Sequence, residues 1–191
     1  ITSTCLVELD GKPLPAAAAP LLTTAYVDDS QQLPDAFVLR FRDPNRQVIG
    51  QLGVKVGSTA KVSVQVADDN QPAVLIQGEV TALEAEFDQG GTFTVIRGYD
   101  QLHRFFRARV TASYLQATAS DIATAIAHRA GLRVGDVQAT TTVYDHYSQA
   151  GQTDWEVLSR LARANNLEVS VRDGVFGFTA PANANTAPTA A

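Results

Sequence analysis

The sequence has little of several residue types that carry chemistry or covalent structure. Its 191 residues include no methionine, one cysteine, one tryptophan and three histidines. The lone Cys5 excludes an internal disulfide and a zinc site built from several thiolates. Because Cys5 stands in an apolar, strand-like run, we expect it to pack as a small hydrophobic side chain. The lack of methionine suggests a segment of a longer protein, or one whose start has been removed.

Long apolar runs are also missing. No stretch approaches the run of about 18 apolar residues that spans a bilayer. The chain does not open with a charged segment followed by an apolar one, which is the pattern of a signal peptide. We therefore expect no signal peptide and no membrane insertion by this segment.

Basic charge is not concentrated anywhere in the chain. Lys and Arg number 15 against 20 Asp and Glu, which gives a net charge of −5. Because binding to nucleic acid requires a concentrated cationic surface, nucleic acid is not an expected partner. With 45% hydrophobic and 18% charged residues, the composition is that of a folded soluble protein of one large or two small domains.

The first hundred residues show the alternation of apolar and polar side chains that predicts β-strands. Clear examples are residues 36–41 and 61–66, and residues 73–87 are long enough for a bent strand in which Gly78 marks a bulge or bend. Residues 46–56 are compatible with a loop or a short strand. Joined by acidic and glycine turns, these strands predict an antiparallel barrel-like or sandwich domain over residues 1–106.

Two capped helices dominate the following segment. Thr118 is followed three residues later by Asp121, and Thr153 by Glu156, which is the capping-box pattern of a helix start. The helices are expected to end at Gly131 and at the pair 165–166. A hairpin turning at 173–174 follows. We therefore expect a small α/β module at 107–180 and a linker or truncated end at 181–191, and thus an α+β protein.

Residues with catalytic potential are better explained by structure. His103, His128 and His146 lie in different predicted elements without metal-ligand spacing; His103 and His128 are assigned to helix ends and His146 to a polar loop. Asp145 and His146 stand near Ser148, but no nucleophile motif surrounds them.

Two further patterns have a catalytic reading and a structural one. Asp154 and Glu156 could be a carboxylate pair for glycoside hydrolysis, but as first-turn acids of a capped helix they need no such role. Glycines 50, 53 and 57 are not followed by the Lys-Ser/Thr of a phosphate-binding loop. No catalytic, cofactor-binding or metal-binding residue is therefore predicted, and no cofactor.

Two surface features leave alternatives open. Trp155 is expected to pack across the hairpin that follows its helix, with stacking on a carbohydrate as the alternative. Four acids in residues 79–88 fit an acidic lumen or outer face, or an ordinary solvated strand face: Glu79, Glu84, Glu86 and Asp88.

The order and spacing of several segments resemble those of phage late-control D proteins and VgrG-type spike proteins. Residues 95–106 are similar to the end of the first barrel in that family, where an R-G-x-D segment leads into an α/β module. The matching segments that follow are 114–122, 126–132, 147–167 and 168–174. The resemblance is good over residues 92–178 and only architectural over 1–91.

This resemblance implies a structural baseplate hub of a contractile tail or injection machine. In the family, three chains with two barrel-like domains each form a pseudo-six-fold ring that matches a hexameric inner tube, and the trimer continues into an OB-fold and a spike. The implied partners are two further copies, the inner tube protein, the spike tip and baseplate wedge proteins. The chain would be made in the bacterial cytoplasm and assembled into the particle, which is a phage tail, a type VI system or an extracellular injection particle.

The chain departs from the family pattern at its end, because the Pro/Ala/Asn-rich tail stands where a second barrel would begin. The alternative function is a peptidoglycan- or glycan-binding module of a cell-wall-associated protein, since a two-helix α/β unit is also found in such modules. An enzyme is disfavoured, because no nucleophile, base and oxyanion site converge in the sequence.

Overall fold

The computed structural model describes residues 3–30, 33–66 and 71–181. The chain divides into two compact units, and the boundary between them in the sequence lies between Gln101 and Leu102. One of the acidic turns expected between the strands, at residues 68–70, and the predicted tail beyond Pro181 lie outside the described residues. Within the described residues, no helix combines the length and the apolar character needed to cross a membrane.

The first unit is one antiparallel sheet of seven strands. The strands are β1 (Ser3–Leu9), β2 (Lys12–Pro13), β3 (Leu22–Asp28), β4 (Ala36–Arg42), β5 (Thr59–Val66), β6 (Ala73–Asp88) and β7 (Gly91–Asp100). Their order is β2-β1-β5-β6-β7-β4-β3. The edge strands β2 and β3 do not pair with each other, so the sheet is barrel-like but open.

The strand alternation places one face of this sheet on a core. Phe37, Leu39 and Phe41 of β4 are fully buried, and they pack in one cluster with Val62 of β5 and Ile96 of β7. This cluster draws residues from both halves of the sheet, so the sheet curves around it. Burying such side chains stabilises each by about 1.5–3 kcal/mol relative to leaving them in water.

Gly78 has a different role from the predicted bulge. The register shifts of β6 flank it, between Val62 and Ser63 of β5 on one side and between Val80 and Ala82 of β6 on the other. A Cβ atom on Gly78 would lie 2.3 Å from the backbone oxygen of Tyr99. Gly78 is therefore required by the close approach of β7, while the bend comes from its neighbours.

Residues 46–56 contain a five-residue helix that was not predicted, α1 (Val48–Leu52), and no strand. The residues on either side of α1 form loops, as expected. The Asp43 carboxylate accepts hydrogen bonds from the backbone N–H groups of Gln47 (2.8 Å) and Val48 (3.1 Å). The Thr94 hydroxyl donates a third bond at 2.8 Å. Burial opposes ionisation of Asp43, but these bonds outweigh it and hold the pKa of this carboxyl below its ordinary value.

The second unit contains two helices, a two-stranded ribbon and a three-stranded sheet. Its elements are β8 (Arg109–Thr118), α2 (Ala119–Arg129), β9 (Arg133–Val137), β10 (Val143–Thr153), α3 (Asp154–Ala164), β11 (Glu168–Arg172) and β12 (Val175–Thr179). β8 pairs with β10, and the other sheet has the order β11-β12-β9 with β12 parallel to β9. The predicted α+β fold with a C-terminal hairpin is confirmed.

The core of the second unit lies on the apolar faces of the helices. Ile122 and Ile126 of α2 pack in one cluster with Leu158 and Leu161 of α3 and with Phe176 of β12. The 3-10 helix Gln101–Phe106 adds Leu102 and Phe105 to this cluster. Asp173 and Gly174 have φ values of +50° and +73°, the left-handed geometry of a two-residue hairpin turn.

α2 and α3 belong to the two halves of an internal repeat. Equivalent residues of the two halves are 35 positions apart in the sequence. In each half a strand ends at a threonine that caps the helix: the N–H of Asp121 donates to Thr118 Oγ1, and that of Glu156 to Thr153 Oγ1, both at 3.2 Å. The acid of each pair accepts from the threonine N–H at 2.9 Å, so both predicted capping boxes are confirmed.

The repeat extends through the helix ends. Gly131 and Asn166 have φ values of +70° and +55°, as predicted for left-handed stops. A buried leucine follows each stop, Leu132 or Leu167, and leads into a five-residue strand. The second unit is thus two strand–helix–strand halves joined through the ribbon, followed by β12.

Candidate functional site

The three histidines lie apart, and none lies within a metal-binding cluster. His103 is buried in the 3-10 helix and accepts a hydrogen bond from Arg107 Nε at 3.2 Å. His128 lies in the last turn of α2, and His146 lies on β10 instead of in the predicted loop. In the described part of the chain, no three His, Cys, Asp or Glu side chains are grouped to hold a metal ion.

The expected burial of Cys5 is wrong, since its side chain is exposed. Cys5 shares the face of Val7 and Leu9, which are buried, but it lies nearer the start of β1 and beyond the core. Partial burial still raises the pKa of the Cys5 thiol.

The Asp145, His146 and Ser148 segment does not form a catalytic triad. His146 Nε2 lies 2.8 Å from the hydroxyl of Ser113 on β8, not from Ser148. The Asp145 carboxylate accepts a hydrogen bond from Gln116 Nε2 at 2.9 Å. Since a triad requires the acid to orient the histidine, this exposed Ser–His pair lacks the activating geometry.

Asp154 and Glu156 have separate structural roles. Glu156 completes the capping box of α3, as predicted. Asp154 also lies in the first turn of α3, but only 7% of it is exposed. Its Oδ1 accepts hydrogen bonds from Arg129 Nη2 at 2.5 Å and from Gln149 Nε2 at 2.8 Å.

These bonds belong to a network that the sequence did not reveal, formed by Tyr114, Arg129, Gln149 and Asp154 and called here the Arg129 network. Arg129 Nη1 donates to the Tyr114 hydroxyl at 3.1 Å, and Nη2 donates to Gln149 Oε1 at 2.9 Å. Burial opposes the charge of Arg129, but the bonds to Asp154 and Tyr114 outweigh it and raise the pKa of the guanidinium. The network joins β8, α2, β10 and α3, and thus both halves of the repeat.

The glycines at 50, 53 and 57 lie inside α1, at its end and after it, respectively. Gly53 (φ +64°) ends α1, and Gly57 (φ +93°) lies in the turn that leads to β5. Gly53 and Gly57 are therefore turn residues with left-handed backbone geometry, whereas Gly50 is part of the helix.

The acids of β6 alternate with arginines in a ladder of ion pairs. Arg97 Nε lies 3.0 Å from Glu84, and Arg40 lies 3.0 Å from Glu86 and 2.6 Å from Asp88. Arg97 also lies 3.6 Å from Glu86. This strand face is therefore a mixed-charge surface, and each exposed pair adds at most about 1 kcal/mol to stability.

Two further side chains, those of Glu79 and Trp155, are at least partly buried. Glu79 also lies on β6, but unlike Glu84, Glu86 and Asp88 it is buried. Trp155 stacks on Phe106 of the 3-10 helix, with ring centroids 5.1 Å apart and planes at 25°. The aromatic partner is therefore upstream of the helix and not in the hairpin that follows it. Stacking between aromatic rings accounts for the position of Trp155 without a carbohydrate ligand.

The sequence comparisons decide the family. A family model described as the Alg8 N-terminal domain matches residues 57–190. The chain belongs to the Alg8 N-terminal domain family. The matched region of the chain begins just before β5 and includes all the elements of the second unit. No curated protein matches the sequence.

Solved structures share the fold of this chain over nearly its whole length. The 43 kDa tail protein of prophage MuSo2 from Shewanella oneidensis matches with a TM-score of 0.69 at 16% identity, over 93% of this chain and 53% of its own. An Escherichia coli type VI secretion component, similar to the T4 tail proteins gp27 and gp5, has a TM-score of 0.58 at 12% identity, over 90% and 47%. The Francisella PdpA–VgrG complex has a TM-score of 0.59 at 10% identity, over 93% and 31%.

These likenesses establish a common fold. The chain spans about half the length of the first two proteins and about a third of the third. The predicted kinship with tail and VgrG-type proteins is thus confirmed at the level of fold.

Proposed function

We propose that this chain is a non-enzymatic structural component of a contractile tail-like particle, located at the hub between inner tube and spike. The observation that carries the proposal is the TM-score of 0.69 with a prophage tail protein over 93% of the chain. Further support comes from the similar fold of a type VI secretion component and of a VgrG complex. The group of late-control D proteins is the proposed affiliation within these systems.

The proposed action depends on shape. Three copies assemble, and their barrel-like domains (1–106) form part of a ring that adapts a hexameric tube to a trimeric spike. The α/β module (107–180) follows this ring domain, and residues 181–191 serve as a linker. The open sheet of the first unit supports this role, since unpaired strand edges favour assembly with other chains.

The proposed partners follow from this location. They are two further copies of the chain, the inner tube protein, the spike tip and the baseplate wedge proteins. The chain would be made in the bacterial cytoplasm and incorporated into the particle there. The structural uses of Asp121, Asp154 and Glu156 support a role without catalysis, because these acids cap helices or pair with Arg129.

Electron microscopy of purified particles tests the proposal. We expect density for three copies of this fold at the junction of tube and spike. A particle whose junction is built without this chain would contradict the hub function. Binding to purified peptidoglycan is the separate test for the glycan-binding alternative, and we expect the chain to remain in the supernatant.

A further inference from the structure

The second unit contains a cleft with an excess of positive charge. It has a volume of about 750 Å³ and lies between β8, β10 and α3. The residues that line it are Arg109, Ala150, Gly151, Gln152, Glu156, Arg160 and Arg163. We call it the arginine cleft.

One wall of the arginine cleft is held by the backbone of β10. The pairing of β10 with β8 shifts register between Ala150 and Gln152, and Gly151 has a φ of +63° at this bulge. Arg109 Nη1 donates to the Gly151 carbonyl at 2.9 Å. Arg109 also lies 3.6 Å from Glu156, whose carboxylate already accepts the Thr153 N–H. The single carboxylate of the cleft is therefore engaged.

The opposite wall presents two arginines without a carboxylate. Arg160 and Arg163 are three positions apart on α3, so they lie on the same side of the helix, and both are exposed. Arg163 Nε donates to the backbone carbonyl of Ser159 at 3.2 Å, and Arg160 lies beside the Tyr147 hydroxyl. Neither contact neutralises a charge, and among residues 3–30, 33–66 and 71–181 no acid lies within ion-pair distance of either guanidinium. Arginine presents its donors in a planar fork that suits a carboxylate, so the cleft is built for an acidic partner.

Acidic charge is concentrated in the other unit of the chain. Residues 1–101 contain 13 acidic and 7 basic side chains, whereas residues 102–191 contain 7 acidic and 8 basic ones. Three carboxylates belong to the end of β3 and its connection to β4: Asp28, Asp29 and Asp35. The Ser30 N–H donates to the Asp35 carboxylate at 2.8 Å, which brings the two ends of this connection together. Burial, and then the charges of Asp29 and Asp28, raise the pKa of Asp35 against a hydrogen bond from the Ser30 N–H. No described cation lies within ion-pair distance of these three acids.

We propose that the arginine cleft of one copy binds the Asp28, Asp29 and Asp35 carboxylates of a second copy. The two surfaces differ, so the contact is heterologous and repeats from copy to copy until a ring closes. This inference rests on the proposed assembly of the hub and names one of its contacts. The second copy is favoured over another acidic protein because the chain itself has unpaired charge of both signs.

Charge reversal in the 191-residue chain tests the contact. Self-association is measured by sedimentation equilibrium at low salt for the native chain, for R160E/R163E and for D28R/D29R. We expect each reversed variant to self-associate about 10- to 100-fold more weakly, because like charges then face each other. The variant that combines all four substitutions should recover most of the native association, since the two charges are exchanged and not removed.

Controls separate the contact from general effects. R172E/K12E reverses two exposed cations that do not line the cleft, and it should associate like the native chain. The neutral R160Q/R163Q variant avoids repulsion between residue 160 and Glu156 along α3, and it should weaken association less than R160E/R163E. Melting curves of every variant establish that it is folded.

Several outcomes would overturn the inference. They are a native chain that stays monomeric at all concentrations, association that is unchanged in R160E/R163E, and a fourfold variant that fails to recover. These measurements need no particle, so they are independent of the test of the hub function. A particle with the chain at the junction but with the arginine cleft facing solvent would refute the contact and leave the hub function standing.

Discussion

Removal of the Asp154 carboxylate by D154A should destabilise the second unit by about 2–3 kcal/mol. Breaking a buried ion pair by removing one partner costs about 3–5 kcal/mol, because the remaining charge is left unpaired. Here the Arg129 side chain retains 34% exposure, so water replaces part of the lost interaction and we reduce the expected cost. Gln149 is fully buried and loses one of the acceptors of its amide.

The assay is urea unfolding followed by tryptophan fluorescence. Trp155 is the only tryptophan, and it stacks on Phe106 within the second unit, so its emission reports on that unit alone. D154N keeps a hydrogen-bond acceptor of similar shape but loses the charge, and it should destabilise by about 1–2 kcal/mol. D136A removes an exposed acid of β9 as the matched control, and it should change stability by less than about 0.5 kcal/mol.

The size of the effect separates two roles for Asp154. An acid that only complements the helix dipole in the first turn contributes about 0.3–1 kcal/mol. If D154A destabilises the second unit by no more than this, the Arg129 network does not stabilise the joint between the two halves of the repeat. A double-mutant cycle with Arg129 should give a coupling of at least about 1 kcal/mol, and a coupling near zero would contradict the network directly.

Three further predictions test other parts of the fold. G98A should destabilise the first unit by about 3 kcal/mol, the upper end of the usual cost of overpacking, because its Cβ would lie 2.2 Å from a backbone oxygen. G50A, where a Cβ would meet no atom within 4 Å, is the control in chemical unfolding followed by far-UV circular dichroism. T118A and T153A should each cost about 1 kcal/mol, since each removes the hydroxyl acceptor of a capping box. The loss should be larger for T118A, because the Thr118 hydroxyl also donates to Asp121 Oδ2 at 2.7 Å; a smaller loss for T118A in urea unfolding would contradict this reasoning. The lowered pKa of Asp43 predicts stability that is fully present above its ordinary value of 3.8 and is lost as the pH falls through the folded-state value. D43N should flatten this acid limb, and an unchanged pH profile of stability would count against the cap of α1.

The sequence predicted elements whose signals lie within a few residues of each other. Both capping boxes, their left-handed stops and the hairpin at 173–174 were recognised because each joins neighbouring backbone and side-chain groups. The same locality explains the failure at α1. The Asp43 carboxylate binds the start of α1 by accepting hydrogen bonds from the nearby N–H groups of Gln47 and Val48. It also accepts one from Thr94, which is 51 positions away in the sequence.

The ion pairs and the burial of surface side chains could not be predicted, because they depend on residues that become neighbours only in the folded chain. In the sequence, Glu84 and Glu86 have no basic residue near them. In the folded sheet, Arg97 and Arg40 lie beside them and form ion pairs. Cys5 belongs to the same apolar alternation as Val7 and Leu9, but the core includes those two residues and does not extend to Cys5. Alternation identifies which face a side chain occupies, whereas burial depends on how far the packing extends along the strand.

By itself, then, the sequence determined the class of the fold, the two capped helices and the absence of a recognisable catalytic motif. Only the tertiary structure decided that the helices belong to the two halves of one repeat and that Arg129 and Asp154 join them. It also decided that a cleft with two arginines that face no carboxylate lies beside α3. The physical reason is range. Propensity and capping act between residues a few positions apart, whereas an ion pair or a cleft arises from residues that become neighbours when strands and helices pack.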